Sequence, residues 1–93
     1  MVFEWDEAKN ESNQRKHHLR FEEAINVFRD PLARSKQDRV EHGEERWQTI
    51  GSIRGIVLIV VAHTVSQGSE EIFRIISARK ATPSERIRYE EAQ

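Results

Sequence analysis

One stretch, Ile56-Val57-Leu58-Ile59-Val60-Val61-Ala62, constrains the fold more than any other. It is the longest apolar run in the chain. Seven residues are too few to cross a bilayer as a helix, which needs about 20. Most are β-branched, a side-chain shape that loses freedom in a helix and packs well on a pleated surface. The pattern predicts a strand over Ile56 to Thr64, central in a sheet and buried on both faces. Such a strand needs a neighbour on each side. Arg46 to Ile50 supplies one, between a turn at His42-Gly43 and a turn over Gly51 to Gly55. Glu71 to Ala78 supplies the other, after a loop over Ser66 to Ser69. Short connections containing glycine make these strands an antiparallel meander.

The rest of the chain reads as helix and edge. Val2 to Trp5 alternates Phe3 and Trp5 with other residues, as a short strand does. Asp6 is placed to cap a helix over Glu7 to His17. That helix is almost wholly polar and has little to bury, so it either lies on the surface or packs on a partner. Phe21, Ala24, Ile25 and Phe28 fall at helical spacing and predict an amphipathic core helix over Phe21 to Arg29. Pro31 ends it, because the residue before a proline is pushed out of the helical region. Leu32 to Gly43 is mixed and charged, with room for one short edge strand. Thr82, Pro83 and Glu85 form a capping box with proline at the first helical position, opening a helix from Pro83 to about Ala92. The expected fold is α+β: a small antiparallel sheet with two N-terminal helices and one C-terminal helix, in a single domain over residues 1–93.

Charge sharpens the picture. The chain is nearly balanced, with 15 basic and 16 acidic residues, unlike a protein that coats DNA. Yet Ile72 to Tyr89 holds five basic residues (Arg74, Arg79, Lys80, Arg86, Arg88) against the single acid Glu85. A local excess of arginine suggests a place that holds an anion, phosphate above all. The alternative is a solvated strand edge salt-bridged to Glu85 or Glu90. Strand alternation puts Arg74, Ile76, Ala78 and Lys80 on one face and Phe73, Ile75, Ser77 and Arg79 on the other. There is no cysteine, so neither a disulfide framework nor a thiolate metal site is possible. The four histidines have no metal-ligand spacing. No secretory leader is visible, and a cytoplasmic protein with no membrane segment is expected.

Metal-free RNA cleavage would need only a base for the 2′-hydroxyl, cations for the charged transition state and an acid for the leaving oxygen, roles that His, Glu, Arg and Lys can fill, so these residue types permit that chemistry without being specific to it. His17 or His18, at the end of the polar helix, and Glu45 are candidates for proton transfer. Arg46, Arg74 and Arg79 are candidates for charge stabilisation. Lys16, Lys80 and Arg86 are candidates for holding the RNA backbone. Trp47 is a base-stacking candidate or, more commonly for a strand tryptophan, core. No phosphate loop, catalytic-triad order or zinc motif is present.

Read as phrases, the chain resembles the BrnT family of ribonuclease toxins. The phrases are Phe3-Glu4-Trp5-Asp6, Lys9-Asn10, Lys16-His17, Phe21-Glu22-Glu23-Ala24, Val27-Phe28 with Asp30-Pro31, Glu45-Arg46-Trp47 with Ile50-Gly51, and Arg74 to Thr82 with Glu85-Arg86 and Tyr89-Glu90. They run in order over nearly the whole length. The resemblance implies a RelE-like fold and RNA cleavage that blocks translation; no cofactor is expected. It also implies a BrnA-type antitoxin partner in a 2:2 complex, with DNA contacted only through that antitoxin. Two positions depart from the family phrases. His18 stands where members commonly have glycine after Lys-His. Val65-Ser66 follows Thr64 where members often have Thr-x-Arg, and His63 is a nearby side chain that could stand in for the arginine. The rival reading is a non-catalytic module that acts only by binding its partner and tuning operon repression.

Overall fold

The computed structural model describes residues 1–55 and 57–92. Five strands form one sheet: β1 (Val2–Glu4), β2 (Arg34–Glu41), β3 (Glu44–Ile53), β4 (Val57–Ser66) and β5 (Ile72–Lys80), in the order β1-β5-β4-β3-β2. Helix α1 (Glu7–His17) and helix α2 (Phe21–Ala24) precede β2, with a 3₁₀ turn over Ile25–Arg29 continuing α2; helix α3 (Pro83–Glu91) follows β5. The apolar run is the central strand, as expected: Leu58, Ile59, Val60 and Val61 are each 5% exposed or less. Ile56, the expected first residue of that strand, lies outside the described residues.

The fold is α+β, but the sheet is mixed and not purely antiparallel. β1 pairs with β5 in parallel, Glu4 opposite Arg74. A parallel neighbour needs a long crossover, and here nearly the whole chain lies between the two strands. The second predicted helix is α-helical only through Ala24 and then tightens into the 3₁₀ turn. β2 is an eight-residue edge strand, not a short one.

β3 also runs further than expected. Gly51 continues the strand instead of opening a turn, because Val27 packs where its side chain would be. A Cβ on Gly51 would sit 2.8 Å from the Val27 carbonyl oxygen. The turn comes later, with positive φ at Arg54 and Gly55. His42 and Gly43 take positive φ between the paired residues Glu41 and Glu44, the twist that a two-residue hairpin favours.

One face of the sheet buries Ile53, Ile59, Val61, Ile75 and Ala78 against Leu19, Phe21, Ala24 and Val27. His63 lies in this layer, 2% exposed. Its ring packs on Phe28 and Phe73, and its Nε2 is 2.7 Å from Thr49 Oγ1, which in turn is 2.6 Å from Ser35 Oγ. Burial lowers its pKa, opposed by the Thr64 carbonyl.

Helix α1 is held without an apolar face. Its only buried residues are Asn10 and Asn13. Asn10 accepts from the Phe21 N–H and donates to Glu22, whose carboxyl it holds below the usual range. Asn13 donates to the Leu19 carbonyl at 2.8 Å and accepts from the Ala78 N–H at 3.0 Å. β1 stops at Glu4, so the outer edge of β5 beyond Arg74 has no strand partner, and Asn13 takes its place there.

Helix α1 ends on His18, whose φ of 56° is left-handed, with its N–H on the Gln14 carbonyl. That is the conformation glycine adopts freely at a helix C-terminus, and here a histidine adopts it.

Candidate functional site

The second face of the sheet is covered only in part. Helix α3 lies against its Ile50 and Val60 region through Tyr89, and the capping box predicted for it is present at Thr82 and Glu85. Glu85 does more than cap. Its two carboxylate oxygens accept from both terminal nitrogens of Arg79, at 2.7 and 2.9 Å. These bonds hold the Glu85 carboxyl down at about 2, against the cost of burial. Tyr89 donates to Asp30 at 2.6 Å, and burial with that bond pushes the phenol up to about 12. Burial raises the Asp30 carboxyl, but bonds from Tyr89, Leu32 and Ser52 outweigh it and leave it lowered.

Two β-bulges decide which cations this face carries. In β5, Ala62 pairs with Ser77 and His63 with Ile75, so Ile76 is an extra residue. The simple alternation expected from sequence therefore breaks. Phe73, Ile75 and Ala78 all face the helical core, and Lys80 follows Ala78 to that side. Arg74 and Arg79, expected on opposite faces, share the second one. In β2, Lys36 pairs with Gln48, Gln37 with Trp47 and Arg39 with Arg46, leaving Asp38 as the extra residue. That bulge turns Lys36 and Arg39 to the same side. Bulges commonly re-aim side chains beside functional sites.

The result is a row across the sheet. Arg39 is paired with Arg46. Trp47 is paired with His63, so Arg46 lies level with Thr64 one step on. Thr64 is paired with Arg74, and Arg74 with Glu4. Arg46 and Arg74 are thus two strands apart, about 10 Å between backbones, with a small hydroxyl side chain between them. Like charges directly opposite are unfavourable in a sheet, so Arg39 facing Arg46 is a cost that an anion would relieve. Arg39 bonds Glu41 at 2.9 Å and lowers that carboxyl, with Arg46 contributing. Arg46 has no ion-pair partner among the described residues, and its Nε is buried without a hydrogen bond. Arg74 stands 3.7 Å from Glu4, both about half exposed, a pair worth roughly 0–1 kcal/mol.

The sequence candidates divide between the two faces. Arg46, Arg74 and Arg79 share the open one, but Arg79 lies opposite Val60, four positions along β4 from the Thr64 row, and is already neutralised by Glu85. Arg86 is on α3, 3.9 Å from Glu90. His17 and Lys80 both line a cavity of about 290 Å³ on the other side of the sheet, with His18, Leu19 and Ile59. Lys16 is in the last turn of the same helix and is exposed. Glu45 alternates with Arg46 and shares a face with Trp47, which pairs with buried His63 and so belongs to the core side. His63 cannot stand in for an arginine after Thr64, because its ring points into the core. The position two residues past Thr64, Ser66, is exposed on the open face beside Arg74. Among the described residues no cluster of three or more His, Asp or Glu is arranged to hold a metal.

Sequence reasoning missed Arg39, Lys36 and Arg34 because it left β2 without a register. A charged alternation at Arg34 and Lys36 was the available signal.

The model of the family described as ribonuclease toxin, BrnT, of type II toxin–antitoxin system matches residues 5–85. The chain belongs to the BrnT family. The match takes in Arg39, Arg46, Thr64, Arg74 and Arg79. The BrnT-family fold is seen directly in the crystal structure, at 1.1 Å resolution, of the Brucella abortus ribonuclease toxin BrnT. The two are similar at 28% identity, covering 88% of this chain and 99% of that one, with a TM-score of 0.63. No curated protein matches the chain.

Proposed function

We propose that this BrnT-family chain is a RelE-like endoribonuclease of one domain, and that it cleaves RNA on the open face of its sheet without a metal ion. The observation that carries this reading is the row Arg39, Arg46, Thr64, Arg74, in which two bulges and a like-charged pair gather three guanidiniums, Arg46 with no ion-pair partner among the described residues and Arg39 and Arg74 held only by exposed contacts with Glu41 and Glu4. A phosphodiester bound between Arg46 and Arg74 meets a guanidinium on each side, and both stabilise the charge that builds as the 2′-oxygen attacks. The bond from the 2′-oxygen to phosphorus forms, the bond to the 5′-oxygen breaks, and that oxygen takes a proton from water. Glu4, beside Arg74, is the carboxylate placed to accept the 2′-hydroxyl proton. Arg79, clamped by Glu85, positions α3 at the edge of the site. This reading leaves His17, Glu45, Lys16 and Lys80 outside the chemistry.

The cell biology follows the family. Cleavage blocks translation in the cytoplasm, and a BrnA-type antitoxin covers the toxin in a 2:2 complex that reaches DNA only through the antitoxin. The test is RNA cleavage by the purified chain in excess EDTA. Products ending in a 2′,3′-cyclic phosphate and a 5′-hydroxyl, with no cutting at a 2′-deoxy position, support the proposal. Intact RNA with folded protein favours a module that acts only by binding its partner.

A further inference from the structure

A cleft of about 250 Å³ lies between α3 and the open face, next to the cation row. Its chemistry is unlike that of the row. The floor is apolar, made by buried Val60, half-buried Ile50 and the ring of Tyr89. The rim carries Arg34, Lys36 and Arg88, none with an ion-pair partner among the described residues. The one acid in the lining, Glu85, has both oxygens committed to Arg79. Gln48 stands between floor and rim, half-buried, and its amide makes no hydrogen bond among the described residues. An amide offers two donors and an acceptor, so this one is left free to read another group.

An apolar floor, an unspent amide and three uncompensated cations suit a flat heteroaromatic ring carrying a phosphate. The volume is below the roughly 300–1,000 Å³ of drug-sized pockets, which fits one base and not a helix of a partner protein. Position agrees. Gln48 is two residues along β3 from Arg46 on the same face, about 7 Å away.

We propose that this cleft is a nucleotide subsite that binds the base adjacent to the scissile phosphate, with Gln48 reading its edge and Lys36 and Arg88 holding the flanking phosphate. The proposal rests on reading the open face as an RNA site, but it is tested by binding alone. The intact chain, labelled with ¹⁵N, is titrated with each of the four ribonucleoside 5′-monophosphates and, separately, with inorganic phosphate. The expected result is saturable shifts of the Gln48 side-chain amide, with one or two nucleotides preferred over the others and all preferred over phosphate. The double variant Lys36→Ala, Arg88→Ala should weaken binding by about tenfold or more, as loss of two charge-assisted contacts requires. Gln48→Ala, which removes a half-buried amide that makes no hydrogen bond among the described residues, should level the four nucleotides while leaving the spectrum folded.

Equal response to nucleotides and phosphate overturns the subsite. So does a response confined to Arg46 and Arg74, or binding of an acidic peptide in the cleft where nucleotides fail. Nucleotide binding here in a chain that never cleaves RNA keeps the subsite and removes the ribonuclease. Cleavage with no nucleotide in the cleft does the reverse.

Discussion

Replacing Asn13 with alanine tests whether two asparagines, and not an apolar stripe, fasten helix α1 to the sheet. The change strands two buried backbone groups, the Leu19 carbonyl and the Ala78 N–H, which Asn13 now satisfies at 2.8 and 3.0 Å. Each stranded group costs about 1–3 kcal/mol. Asn13 is 6% exposed, so a water can relieve part of that, and alanine regains about 0.5 kcal/mol of helix propensity. The net loss should be about 2–4 kcal/mol, a large share of the 5–15 kcal/mol typical of a domain. In a thermal melt that is a fall in Tm of roughly 10–25 °C. Urea unfolding followed by circular dichroism measures it, with Lys9→Ala, an exposed change on the same helix, as the control. A loss no larger than that control, under about 0.5 kcal/mol, refutes the argument and means α1 is held by contacts other than these bonds.

Three further changes follow from the backbone and from charge. His18→Gly relieves a left-handed residue at the end of α1 and should raise stability by about 1 kcal/mol; no gain in urea midpoint would contradict this. Gly51→Ala drives a methyl group against the Val27 carbonyl and should cost about 1–3 kcal/mol, whereas Gly68→Ala, in open space, should be nearly silent on the same assay. Glu85 titrates from 4.5 down to about 2 on folding, so its contribution is whole above about pH 4.5 and is lost as pH falls towards 2. With Arg79 36% exposed, solvent screening trims that contribution to about 1–2 kcal/mol. The stability gap between the parent and Glu85→Gln should therefore narrow below about pH 4.5, and a gap that stays constant down to low pH would show that the ion pair is not its source.

Much of this molecule is legible in its residues, for identifiable reasons. The β-branched run after Ile56 points to a central strand, found over Val57–Ser66, and the Thr82-Pro83-Glu85 phrase to a helix start, because each depends on local chemistry. What stayed hidden depends on long-range geometry. The parallel pairing of β1 with β5 joins residues far apart in the chain. Gly51 reads as a turn until Val27 is seen against it. The bulges at Asp38 and Ile76 have no local signature, yet they decide which side every later cation faces. Simple alternation places the candidates Arg74 and Arg79 on opposite faces, and the bulge at Ile76 puts them on one. His17 and Lys80 belong to the same list by chemistry and to the other side of the sheet by topology. The tie between Arg79 and Glu85 was one of the two partners the sequence allowed, and its two-pronged geometry shows only in three dimensions.

The central claim is that RNA is cut on the open face and not in the cavity beneath α1. It is tested most directly by comparing three chains on one RNA in excess EDTA: the parent, Arg46→Ala with Arg74→Ala, and His17→Ala with Lys80→Ala, each shown folded. The account predicts that the first pair of changes lowers cleavage by about 100-fold or more, as loss of transition-state charge stabilisation does, while the second pair leaves the rate close to that of the parent. Full activity without Arg46 and Arg74, or its loss with His17 and Lys80, would place the chemistry on the opposite side of the sheet.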